Sequence, residues 1–251
     1  MPEALGQALQ TDGLIWLFCT VLIAGLVRGF SGFGSAMIIM PVAASVLTPV
    51  QAITFLTAAE IFGPIPNLPA AWRTGRPRDV GVLLLGAVVA LPVGLFFLSR
   101  IDPLAFNWIL SFVVIGLLVL TASGWRYRGA LTRRLTVVTG AVGGFMTGFA
   151  GIPGPPVIML YMASTLPVAV IRANFMLYLF AIDVLLLPFL WIGGQLVPGV
   201  VLLGLCGAVP NMLGNVIGAR LFDPGKERLF RTVAYIVIAA SAIIGLPLWK
   251  G

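Results

Sequence analysis

Charge is the first thing this sequence lacks. Only 9% of its 251 residues are charged, where a soluble domain carries about 25%. A chain of this size that is 60% hydrophobic has too few polar side chains to cover a soluble core, so a soluble globular fold is excluded. Histidine is absent, which argues against a histidine-based metal site. The two cysteines, Cys19 and Cys206, both lie inside apolar runs. That speaks against a disulfide scaffold and leaves packing as their expected role. Met1 to Gly13 holds Glu3 and Asp12 but no basic residue, so the positive n-region of a secretory signal is missing. No nucleophile–base constellation or metal cluster stands out, and the polar connections are too short for a catalytic domain. Neither an enzyme nor a cofactor is expected.

The formal net charge of +7 does not indicate nucleic-acid binding, because the basic residues sit in short clusters between apolar spans rather than on a polar domain. What the chain has in abundance is long apolar sequence, with a mean hydropathy of +1.09. It also has 30 glycines and 18 prolines, which bundled membrane helices use for close packing and for helix breaks.

Ten hydrophobic segments follow in order: Leu14 to Arg28, Ser35 to Leu47, Gln51 to Ile65, Val80 to Leu98 and Leu104 to Ala122, then Leu135 to Gly148, Val157 to Ser164, Ala173 to Ile192, Val197 to Ala219 and Val233 to Trp249. The longer ones approach the roughly 20 residues that cross a hydrocarbon core. Trp16, Trp72, Trp108, Trp125, Trp191 and Trp249 mostly lie near run ends, as interfacial anchors do.

The second half repeats the first. Gly29-Phe30-Ser31-Gly32 matches Gly148-Phe149-Ala150-Gly151, and Pro49-Val50 matches Pro167-Val168. The string from Gly81 to Gly86 with Pro92 matches Gly199 to Gly204 with Pro210, and Arg100 to Pro103 matches Arg220 to Pro224. The offsets, from 167 − 49 = 118 to 224 − 103 = 121, stay nearly constant and in order. The expected layout is two transmembrane repeats, residues 1–125 and 126–251, forming one integral membrane domain.

Basic loops orient it. Arg73 to Arg78, Arg126 to Arg134 and Arg220 to Arg231 hold 11 of the 15 Lys and Arg residues. Placing all three in the cytoplasm satisfies the positive-inside rule. Each half then has an odd number of segments, so the repeats are inverted and both termini are periplasmic. The expected fold is an all-α polytopic membrane protein of eight to ten helical segments with broken helices. Whether the short paired segments span fully or are re-entrant stays open.

The Gly-rich breaks are the strongest functional signal. Ser31, Gly32, Gly34 and Ser35 interrupt the first half where Gly151 and Gly154 interrupt the second. A helix broken in a membrane frees backbone groups that must face protein or a wet cavity, and helix N-termini starting there offer N–H groups to an anion. The plainer role is close helix crossing. Arg28 at the first break and Arg172 after the second hairpin are candidate anion anchors, or arginines that snorkel to an interface. Glu60 and Asp183 are candidate proton carriers, or polar packing contacts. Asn174, Asn211 and Asn215 are candidates for substrate or interhelical hydrogen bonds.

Taken together, Gly29 through Pro41, Gly148 through Pro156 with Arg172-Ala173-Asn174, and the duplicated layout resemble the sulfite exporter TauE/SafE family of bacterial permeases, over roughly Gly13 to Leu248. The resemblance implies an inner-membrane secondary carrier for sulfite, sulfoacetate or a related organosulfur anion. Two departures, Phe33 between Gly32 and Gly34 and the proline-rich second cluster, leave the substrate open. The expected mechanism is alternating access at a central site between the inverted halves. An anion channel and a non-transporting membrane assembly protein are the alternatives. The expected partners are a small anionic solute and membrane lipid, with the oligomeric state open and a homodimer one option.

Overall fold

A computed structural model describes residues 13–123, 132–162, 164–221, 223 and 227–249. Trp125, Arg126, Arg128 and Lys226, and with them part of the basic-loop pattern, lie outside the described residues, as do Glu3 and Asp12 of the N-terminal stretch. Among the described residues there is no strand. The helices are α1 (Leu14–Ser31), α2 (Ser35–Val46), α3 (Pro49–Glu60), α4 (Leu68–Thr74), α5 (Pro77–Arg100), α6 (Pro103–Ala122), α7 (Arg133–Ala150), α8 (Gly154–Met162), α9 (Val168–Ile192), α10 (Pro198–Leu221) and α11 (Glu227–Ile244). Short 3-10 turns lie at Ile65–Asn67 and Pro247–Trp249.

Five of these, α1, α5, α6, α9 and α10, are long and apolar enough to cross a membrane. At 1.5 Å per residue, α5, α9 and α10 extend about 36 Å, and α1 and α6 about 27–30 Å. Helices α2 and α3, with 12 residues each, reach only about 18 Å, and the nine-residue α8 about 14 Å. None of the three covers the roughly 30 Å hydrocarbon thickness alone. The eighteen-residue α7 and α11 fall outside the five spans. Helix α7 is diluted by Arg133, Arg134 and four glycines, and α11 opens on Glu227, Arg228 and Arg231.

Several helices run past the ends suggested by hydropathy. Thr48 and Gln51 form a capping box that starts α3 at Pro49, reciprocally satisfying free donors of its first turn. Helix α9 begins at Val168, directly after Pro167, which places Arg172 within the helix rather than ahead of it. Pro92, Pro188 and Pro210 lie inside α5, α9 and α10 without ending them.

Two compact units are present, and each takes helices from both halves of the sequence. In the first, α10 packs on α1 and α3, α2 lies against α1, α3 and α11, and most of α6 belongs here too. In the second, α5 packs along α7, and α9 touches α4, α5, α7 and α8. Both units are held by glycine contacts. A Cβ at Gly25 or Gly29 of α1 would overlap the carbonyls of Asn211 or Asn215 on α10. From the α10 side, Gly214 and Gly218 meet Leu22 and Leu26 in the same way. In the second unit Gly140, Gly144 and Gly148 of α7 press on the backbone at Leu83, Ala87 and Leu91 of α5. Four-residue spacing of glycine puts the small residues on one helix stripe, so backbones touch and dispersion contacts multiply where no hydrophobic drive exists.

Candidate functional site

The first break is built by two left-handed glycines. Gly32 (φ 79°) ends α1, its N–H donating to the Arg28 carbonyl, and Gly34 (φ 94°) precedes α2. A side chain at either position would strain the backbone. The Ser31 hydroxyl is occupied by the turn itself, with the Val27 and Phe33 carbonyls at 2.6 and 2.7 Å as its acceptors. Ser35 is buried at the first position of α2, whose N-terminus carries no side-chain cap. Helix α11 lies over the break through Ile238 beside Gly34 and Phe230 beside Phe30.

Here the chain places its buried ion pair. Arg28 Nη1 lies 3.0 Å from Glu60 Oε2, and each side chain is only 10% exposed. Arg28 stands in the last turn of α1, where a cation complements the helix carbonyls. Glu60 is the final residue of α3, facing the negative end of that helix. Its second oxygen, Oε1, is buried and has no hydrogen-bond partner. The expected anion anchor and the expected proton carrier of the first half are therefore partners of one another. Asn211 is also in this unit, buried at the crossing of α10 over Gly25, with its Nδ2 unpartnered.

The second break has a different interior. Gly151 (φ 69°) ends α7, and Gly154-Pro155-Pro156 opens α8. Proline is suited to a helix start because the missing N–H would be unpaired there anyway. Gly154 stands against Phe175, 3.2 Å from where a Cβ would lie. Asn174 is fully buried on α9, and its Oδ1 accepts the Arg76 backbone N–H, pinning the turn between α4 and α5. Arg172, in contrast, is exposed on α9, and Asp183 is half-buried further along the same helix.

Sequence reasoning missed Tyr161 and Tyr178. Both are buried in this unit, Tyr161 beside the Asn174 side chain and Tyr178 with its hydroxyl against Gly143. The available signal was their rarity: the chain has four tyrosines, and these two sit inside apolar segments rather than at their ends. Gly29 and Gly148, matched to one another by the repeat, are helix-crossing glycines, while Gly32, Gly34 and Gly151 carry the breaks. No cluster of three or more metal-ligating side chains is found among the described residues.

No curated protein and no solved structure matches the chain. The family model described as sulfite exporter TauE/SafE matches residues 17–244, nearly the whole length. With multiple membrane-crossing helices, glycine-broken short helices and this match in hand, the chain belongs to the sulfite exporter TauE/SafE family, multi-pass membrane permeases associated with transport of sulfur-containing anions.

Proposed function

We propose that this permease is a proton-coupled secondary carrier for sulfite, sulfoacetate or a similar small organosulfur anion, working by alternating access in a bacterial inner membrane. The observation that carries the reading is the Arg28–Glu60 pair beside the α1–α2 break. A guanidinium held by a carboxylate is closed to other anions. When Glu60 takes a proton, its negative charge is gone and the arginine's planar fork of donors is released to a sulfonate or sulfite group. When the anion leaves and the proton is lost, the pair reforms. One proton then accompanies each anion, and the Arg28 charge is neutralised in both states, which a membrane interior demands.

The Ser31–Ser35 break supplies the rest of the seat in this reading. The uncapped start of α2 offers backbone N–H groups, and Gly32 and Gly34 keep it free of side chains. Asn211 adds an amide on the α10 side. Exposed Arg172 is assigned to an interface rather than to the anion, and Asp183 remains a second candidate for proton traffic.

The paired architecture supports inverted repeats spanning 1–125 and 126–251. Helix α1 crosses α10 through glycine contacts, and α7, which the sequence offset matches to α1, crosses α5, which it matches to α10. Exposure of Arg73, Arg76 and Arg78 suits a cytoplasmic loop, which leaves both termini periplasmic under the positive-inside rule.

The test is flux of radiolabelled sulfite and sulfoacetate in proteoliposomes, with and without an imposed pH gradient. Saturable, gradient-driven accumulation is expected. Flux that neither saturates nor follows the gradient would make the protein a channel, and no flux of either anion would remove the transport assignment.

A further inference from the structure

The second unit gathers six arginines at one end. Helices α5 and α7 run parallel, because their backbone contacts advance together: Gly140 meets Leu83, Gly144 meets Ala87 and Gly148 meets Leu91. Arg76 and Arg133 each stand seven residues ahead of the first of these contacts (83 − 76 and 140 − 133), so the two helices start at the same end. Arg78 and Arg134 follow in their first turns. Helix α9 reaches this end too, since Asn174 Oδ1 accepts the Arg76 backbone N–H and Arg172 stands two residues earlier. Arg73, in the last turn of α4, completes the set. All six are exposed, and none of their guanidinium groups has an ion-pair or hydrogen-bond partner among the described residues.

This arrangement repels itself. A helix N-terminus carries partial positive charge, which favours an anion and disfavours a cation in the first turn. Yet Arg78 is in the first turn of α5, and Arg133 and Arg134 open α7, whose first turn holds no acidic residue. Asp79, the acidic residue in the first turn of α5, is half-buried and acts on Tyr161 of α8. The positive-inside rule places basic residues in a loop, but it gives no reason to put them on helix starts. An anion from outside the chain supplies one.

Depth says which anion. Helix α5 is long and apolar enough to cross a membrane, so Arg76 and Arg78 stand where it leaves the apolar layer. Trp72, 65% exposed and next to Arg73, has the amphipathic ring that settles at headgroup level. At that level the anion within reach is the phosphodiester of a lipid. Guanidinium forks bind phosphate oxygens in pairs, and basic clusters between helix ends hold anionic headgroups.

We propose that the Arg73–Arg78 turn, the start of α7 and Arg172 form a binding site for the headgroups of anionic phospholipids. The site uses neither the Arg28–Glu60 pair nor the transport reading. It gives Arg172, exposed on α9, a ligand outside the chain.

The experiment is native mass spectrometry and thermal melting of the purified full-length protein in neutral detergent, with phosphatidylglycerol, phosphatidylcholine or inorganic phosphate added. Wild type is expected to retain phosphatidylglycerol and to melt higher with it, and to do neither with the other two. R78Q, R134Q and R172Q are each expected to weaken phosphatidylglycerol binding about fivefold, and R133Q with R134Q about 25-fold. R100Q removes the same charge from the last turn of α5, and is expected to bind within about twofold of wild type. Melting without lipid is expected to be unchanged or raised in the arginine variants at the helix starts, because a repelled cation has been removed, which separates lost binding from misfolding. Equal binding of phosphatidylglycerol and phosphatidylcholine, or equal losses in R100Q and R134Q, would overturn the site. A melting shift with inorganic phosphate as large as that with phosphatidylglycerol would also overturn it, making this end a seat for a soluble anion.

Discussion

Arg28 and Glu60 lie 32 residues apart in sequence (60 − 28) yet 3.0 Å apart in space, joining the last turn of α1 to the last residue of α3. Each comes from a helix end, and between those ends runs the α2 hairpin with its two left-handed glycines. A shift of α2–α3 against α1 therefore cannot leave this contact unchanged, which ties the charge state of the pair to the geometry of the break.

The pair should behave as a unit. Removing one partner leaves an uncompensated charge that is largely buried, so Arg28→Ala alone or Glu60→Ala alone is expected to destabilise by about 3 kcal/mol or more. Replacing both together, as Arg28→Met with Glu60→Leu, is expected to recover most of that stability while transport stays lost. Melting temperatures in detergent for the two singles and the double, set beside flux, check this. A double variant that transports normally would contradict it.

The glycine breaks separate conformation from contact. Gly32 has open space where a Cβ would go, whereas Gly34 has Ile238 at 3.2 Å. Gly32→Ala should cost about 1 kcal/mol from left-handed backbone alone. Gly34→Ala should cost more and reduce flux further, because the Ile238 side chain on α11 must also give way. Equal effects of the two on melting and flux would argue that Ile238 yields freely.

The packing glycines make a sharper contrast. Gly116 on α6 has nothing within 4 Å of its Cβ position, while Gly25 and Gly144 face backbone. Gly116→Ala is expected to be neutral or to stabilise by up to about 1 kcal/mol. Gly25→Ala and Gly144→Ala are expected to lose about 2–3 kcal/mol through forced separation of the helices. Thermal unfolding of the three single variants in one detergent gives the answer.

Arg172 tests the difference between sequence and structure. Its place after the second hairpin made it a natural twin of Arg28, but it is exposed on α9. Arg172→Gln is expected to leave flux within about twofold of wild type once expression is matched, whereas Arg28→Gln removes it. Loss of flux in both would restore Arg172 to the anion site.

How much of this could be read from the sequence follows from the range of each interaction. The breaks were legible because a left-handed residue in a membrane helix is local, and glycine marks it at Gly32, Gly34 and Gly151. The membrane class was legible because composition is a sum over the whole chain. The Arg28–Glu60 contact was not, since it depends on α1 and α3 ending side by side. The roles of Gly29 and Gly148 were not legible: glycine serves both a turn and a helix crossing, and only the carbonyls of Asn215 and Leu91 tell which. Tyr161 and Tyr178 were silent because a tyrosine in an apolar run resembles core filling.

The most direct measurement compares wild type and Glu60→Gln in proteoliposomes, in two assays of the same sulfoacetate flux. Glu60→Gln, a fixed mimic of the protonated side chain, is expected to lose accumulation driven by a pH gradient but to keep one-for-one exchange of internal for external anion. Accumulation that still follows the pH gradient in Glu60→Gln would contradict the coupling role of the Arg28–Glu60 pair.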